Sequence, residues 1–290
     1  MTLHALLAAP FLEYGFMRRA LVGCVALSLG SAPLGTLLII RRMSLMGDAM
    51  AHAILPGAAV GFMVSGLSLT AMTLGGLVAG LAVALAAGAV SRLTPLREDA
   101  SFAAFYLVSL GLGVLLVSTR GSNVDLMHVL FGTVLALDDP AVLLMAGVAT
   151  VTLNVLALAY RPLVAECFDP GFLKSVGRGG PLVHFVFLAL VVLNLVGGFQ
   201  ALGTLMVVGI MMLPAAAARF WSETIPGQIA AAGLFGIAAS AAGLLVSFHL
   251  HLPSSPAIIL GAGGIYGLSV LAGPRGGLAG RLLRQPHLQH

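Results

Sequence analysis

The segment PLVHFVFLALVVLNLVGGFQALGTLMVVGIMMLPAAAAR, residues 181–219, carries no Asp, Glu, Lys or Arg until its last position, Arg219. A helix needs about 20 mostly apolar residues to cross a hydrocarbon core roughly 30 Å thick. The run is therefore long enough for two spans, 181–198 and 202–219, parted only around Gly197-Gly198-Phe199-Gln200. The same reading extended outward predicts seven more spans, at 18–40, 44–65, 68–91, 99–118, 138–160, 227–248 and 256–272. The second of these holds Asp48, His52 and the interrupting Leu55-Pro56-Gly57. Eight spans with a re-entrant segment is the alternative. The fold class is all-α, a polytopic membrane bundle.

Composition agrees. Only 8% of the 290 residues are charged, against about 25% in a soluble domain, and mean hydropathy is +1.07. The 37 glycines lie mostly inside apolar runs, where helices packed in lipid favour small contact residues. Net charge is +4, but the basic residues are spread over short loops and form no stripe of the kind that binds nucleic acid. They do carry topological information, because Lys and Arg in short loops favour the cytoplasmic side. With nine spans and the C-terminus inside, Arg41, Arg42, Arg92, Arg97, Arg161, Lys174, Arg178, Arg219, Arg275, Arg281 and Arg284 are internal, and only Arg18, Arg19 and Arg120 are external. The N-terminus is then expected outside, with 1–17 as an N-terminal segment able to lie at the interface, 18–273 as the transmembrane domain and 274–290 as a basic cytoplasmic tail. The expected inner loop 161–180 is the most polar stretch. No cleaved signal peptide is expected, since Met1 to Pro10 lacks Lys and Arg. Cys24 and Cys167 form neither a disulfide framework nor a CxxC pair.

Several chemistries are excluded. A phosphate-binding GxxxxGK[ST] loop is impossible, because the single lysine, Lys174, follows Leu173. None of Glu13, Glu98, Glu166 and Glu223 follows a histidine, which removes the HExxH metalloprotease. No GxSxG elbow occurs. The chain is expected not to be an enzyme.

Ionisable groups inside a bilayer are costly and mark function by default. Asp48 and His52 lie four residues apart, on one helical face. A carboxylate and an imidazole so placed can share a divalent ion of the Zn²⁺ or Mn²⁺ type, and two ligands suit an ion that must also leave. The alternative is that the two simply pair with each other or with nearby backbone at the membrane edge. The following Leu-Pro-Gly favours function, since irregular backbone at membrane depth is tolerated beside protein or a watery cavity. Elsewhere the plainer readings lead. His249 and His251 are read as solvated loop residues, as are Asp125 and His128; His184 is read as interfacial, and His287 and His290 as part of the tail. Glu166, Asp169 and Lys174 are read as a solvated inner face, and the twelve methionines as packing.

The run Arg41-Arg-Met-Ser-Leu-Met-Gly-Asp-Ala-Met-Ala-His-Ala-Ile-Leu-Pro-Gly57 resembles the RRMSLxGDAxxHAxLPG signature of the zinc/manganese ABC importer permeases. Leu130–Ala136 is similar to their LFGxxLA element, Asp169–Gly177 to DPxxAxxxG with Gly171 and Leu173 as departures, and Leu202–Arg219 to GxLLVxALLxxPAAxAR. The likeness covers about Glu13 to Gly273. It implies a fold similar to the cobalamin and siderophore importer permeases, acting in a bacterial plasma membrane as a homodimer. It also implies a cytoplasmic ATP-binding subunit seated around 215–227 and 168–178, an external metal-binding protein, and no permanently bound cofactor. Asp48 and His52 match the positions thought to contact the ion. Zinc is the first expectation and manganese the second. An ATP-independent secondary carrier and a scaffold subunit are the alternatives, although the inverted repeat that a secondary carrier commonly shows is not evident.

Overall fold

The computed structural model describes residues 8–66, 68–119, 134–168 and 180–278. A five-residue helix, α1 (Ala9–Glu13), precedes α2 (Gly15–Ile40), α3 (Met46–Ala53), α4 (Leu55–Ser65), α5 (Leu69–Leu93), α6 (Glu98–Thr119), α7 (Asp139–Phe168), α8 (Gly180–Leu202), α9 (Thr204–Ala218), α10 (Ile225–Leu250) and α11 (Ser254–Ala272). A short 3-10 turn, Val134–Ala136, leads into α7. Taking α3 and α4 as one interrupted span, eight of these segments are long and apolar enough to cross a membrane. The ninth, α9, has fifteen residues. Eight of the predicted spans are found as helices of spanning length, their ends shifted by four residues or fewer except at the end of the fifth, and the seventh, 202–219, is the short α9.

Contacts fix the directions. On α2, Gly23 meets Met145, Gly30 meets Ala149 and Asn194, and Gly35 meets Met211 and Ala215. Gly198 of α8 meets Val207 of α9 beside Leu27. Hence α9 turns back against α8 and runs alongside α2. The reversal is made at Gly203, whose φ of 83° suits a residue without Cβ. One end of the bundle gathers Arg19, Asp139, Phe248 and Ser255, and the other gathers Arg41, Arg92, Glu98, Glu166 and His184.

Close approach rather than hydrophobic drive holds such helices, because lipid is as apolar as their side chains. A Cβ on Gly57 would lie 2.0 Å from the Gly75 carbonyl oxygen, and one on Gly35 would lie 1.9 Å from that of Met211. The first approach seats α4 on α5. The second draws α9 against α2, opposite Asp48.

Two readings of the polar residues are corrected. The fifth span does not end at residue 160: α7 continues through Pro162 to Phe168, so much of the supposed inner loop is helix. Glu166, read as solvated, is 1% exposed, and His184, read as interfacial, is also 1% exposed. Both are held in ion contacts with residues far away in sequence. The expectations placed on Asp125, His128, 169–178, His287 and His290 lie outside the described residues, as does most of the Leu130–Ala136 motif.

Candidate metal-transfer site

The signature begins at the end of α2. Arg41 N–H bonds Leu37 O and Met43 N–H bonds Leu38 O, while Arg42 takes a left-handed φ of 60°. Helices commonly end on such a residue, usually glycine. The chain thereby reverses within residues 41–45 and starts α3 with Met43, Met46 and Met50 buried. That orientation turns Asp48 and His52 away from the packed side.

Proline 56 then breaks the span. It has no N–H to offer, and its ring opposes a continuous helix, so α3 and α4 meet at Ile54. Irregular backbone leaves polar groups to be satisfied from outside. The Ser109 hydroxyl of α6 donates to Ala53 O at 3.0 Å. Ser109 escaped the sequence reading, because its partner lies in another helix.

Asp48 and His52 do come together. His52 Nε2 stands 3.7 Å from Asp48 Oδ1, an ion-pair separation too long for a hydrogen bond. The Asp48 side chain is 65% exposed. His52 lies beside the Tyr106 ring at 5.8 Å, and its buried Nδ1 has no hydrogen-bond partner among the described residues. Lone pairs on both groups therefore remain uncommitted.

The pair faces a cavity of about 380 Å³ whose opposite wall is Leu205, Val208, Gly209, Met212 and Leu213 of α9, with Thr204 and Ile259. Those α9 positions recur at helical spacing and form its less buried side, while Met206, Val207, Ile210, Met211 and Pro214 pack inward. The cavity thus offers two ligating side chains on an otherwise apolar wall. Among the described residues no third His, Cys, Asp or Glu joins them. The carboxylate and imidazole suit a divalent metal as cargo, held by few ligands.

At the Arg41 end, the turn between α9 and α10 is braced by the chain after α11. Trp221 Nε1 donates to Ser269 Oγ at 2.9 Å, Arg275 N–H to Phe220 O at 3.0 Å, and Arg275 Nε lies 3.3 Å from Glu223 Oε1. Thr224 caps α10 through Gly227 N–H. Ala215, Ala217 and Ala218 are buried, so the accessible part of the 215–227 segment begins at Arg219. His249 and His251, at the opposite end, are exposed.

These features define a multi-span helical membrane protein, and comparison with known proteins places it in a family. Residues 13–273 match the model of the ABC 3 transport family. The chain belongs to this family, and its motif-based likeness to metal-ion importer permeases holds across the matched length. It is 30% identical over 274 residues to the "Manganese transport system membrane protein MntC" of Halalkalibacterium halodurans, covering 94% of this chain and 92% of the relative. It is 29% identical over 258 residues to the "Chelated iron transport system membrane protein YfeD" of Yersinia pestis, covering 89% and 85% respectively. The structure described as "PsaBC from Streptococcus pneumoniae in complex with Fab" superposes with a TM-score of 0.81 at 27% identity, covering 94% of this chain and 98% of that one.

Proposed function

We propose that the chain is the membrane path of an ATP-driven importer for manganese, in which Asp48 and His52 contact the ion in transit. The observation that carries the proposal is the uncommitted pair on the wall of the cavity, faced by the exposed side of α9. Manganese replaces zinc as the first choice, because the names of the relatives point to manganese and chelated iron. A carboxylate beside an imidazole is chemically acceptable to any of the three.

Two ligands do not complete the coordination of such an ion. A second copy bringing its own Asp48 and His52 to the mouth of the cavity would supply the rest, and the importer is read as a homodimer on that ground. An external binding protein delivers the ion to the Arg19 end. The ATP-binding subunit docks at the Arg41 end, against the braced turn from Arg219 to Gly227 and the segment around 168–178. The C-terminus is cytoplasmic in this arrangement, and the domain limits are 18–273 with a basic tail after it.

The test is uptake of radioactive manganese by proteoliposomes holding the permease with its ATP-binding subunit and binding protein, with zinc and iron as competitors. Uptake should require ATP and be lost in Asp48→Ala with His52→Ala. Uptake without ATP would instead support the secondary carrier, and unchanged uptake by the double variant would remove the two residues from the path.

A further inference from the structure

At the Arg41 end lies a second set of ionisable groups, which the metal path does not use. Arg41 closes α2, Arg92 lies in the last turn of α5, Glu98 opens α6, Glu166 lies in the last turn of α7, and His184 in the first turn of α8. Arg41 Nη2 donates to His184 Nδ1 at 3.0 Å and stands 3.8 Å from Glu166 Oε1. The Arg92 guanidinium pairs with the same Glu166 oxygen. His184 Nε2 lies 3.0 Å from Glu98 Oε1. The Arg41 guanidinium also covers the Phe187 ring, 5.0 Å from its centroid.

The bonding fixes the tautomer. A guanidinium only donates, so His184 Nδ1 is the acceptor and its proton sits on Nε2, which stands near Glu98 Oε1 without being hydrogen-bonded to it. With a neutral imidazole, two guanidinium charges balance two carboxylates. Yet Arg41 Nη1, Glu98 Oε1, Glu166 Oε2 and His184 Nε2 are buried without hydrogen-bond partners among the described residues. A network retained only for rigidity gains from complete satisfaction, since partly satisfied buried polar groups are costly. Among the described residues, donors and acceptors on both signs of charge are thus left over for a second arrangement.

Position gives that arrangement a use. Arg41 begins the reversal that aims Asp48 and His52. Glu166 and His184 flank, in sequence, the segment joining α7 to α8. We propose that Arg41, Arg92, Glu98, Glu166 and His184 form an inner latch that transmits movement between the α7–α8 ends and the metal-bearing helix, and that it repartners during each transport cycle. They are positioning residues, and none touches the ion. The inference rests on the importer reading above.

The experiment uses the complete complex in proteoliposomes, with manganese as the probe. It compares ATP hydrolysis with and without manganese-loaded binding protein, and manganese moved per ATP, in wild type, Glu98→Gln, and the exchange Arg92→Glu with Glu166→Arg. Glu98→Gln keeps the size of the side chain at the most exposed member of the latch. Its complex should assemble but hydrolyse ATP nearly independently of loaded binding protein, with manganese moved per ATP reduced about tenfold, a coupling loss of ordinary size. The exchange keeps the net charge but turns the Arg41 contact at position 166 repulsive, so it should uncouple at least as far as Glu98→Gln. An assembled Glu98→Gln complex with wild-type stimulation and wild-type manganese per ATP would overturn the latch while leaving the importer intact. A wild-type complex whose hydrolysis ignores loaded binding protein would overturn the importer reading, and the latch with it.

Discussion

Two ionisable groupings sit within one turn-and-helix of each other, and they are built in opposite ways. Asp48 and His52 stand 3.7 Å apart at the edge of a cavity, with lone pairs to spare. Seven residues earlier, Arg41 enters a buried network with contacts near 3 Å that draws on five helices. Both groupings are costly to place in a membrane protein. The difference lies in what offsets the cost: in the network protein charges neutralise one another, whereas the cavity pair would, on the function proposed above, leave that task to a passing cation. A site that must release its ligand is better left loosely paired, and a joint that must carry force is better buried.

The comparison breaks most sharply at the cavity. Asp48→Ala with His52→Ala should reduce manganese uptake to that of vesicles lacking the permease, while co-purification with the ATP-binding subunit persists. Next comes Glu166→Gln, which leaves two guanidinium groups facing a neutral amide. Removing one partner of a buried ion pair costs about 3–5 kcal/mol, visible as a lower melting temperature of the detergent-solubilised protein. The corresponding melt of Asp48→Asn should hardly change, because that side chain is 65% exposed. Equal losses in the two variants would erase the distinction drawn between the groupings.

Smaller effects sharpen it. Gly35→Ala would drive a methyl group into the Met211 carbonyl, forcing α9 away from α2 at a cost of about 1–3 kcal/mol. Because α9 forms the cavity wall, this variant should also weaken uptake more than its loss of stability accounts for. Arg19→Ala opens only the exposed contact with Asp139 at the opposite end, and should lower stability by less than about 1 kcal/mol. A larger loss there would mean that exposed pairing at that end matters as much as the buried network.

The spans were readable because lipid imposes one demand, a long apolar run between polar breaks, and that demand is local. Even the interruption at Pro56 announced itself through the loss of an N–H. Asp48 and His52 were also visible, since four-residue spacing on one helix is a local relation. Glu166 and His184 were misread for the converse reason. Their partners Arg92 and Arg41 are 74 and 143 residues away, and a charge near a predicted span end looks solvated until the third dimension supplies a counter-charge. The cavity wall was hidden too. Leu205, Val208 and Met212 are as apolar as any lipid-facing residue, and nothing in their types separates a wall from an outer surface.

The shortness of α9 has a consequence for where the membrane can act. Fifteen residues rise about 22 Å, well short of the roughly 30 Å of hydrocarbon. A helix of that length set against lipid would suffer mismatch. The packed side of α9 is covered by α2, α10 and α11, and its less buried side borders the cavity beside Asp48 and His52. Thicker or thinner bilayers are therefore expected to tilt the less covered helices, such as α6 and α7, more than the cavity wall beside Asp48 and His52. The shape of the cavity is thereby expected to depend little on the thickness of the membrane.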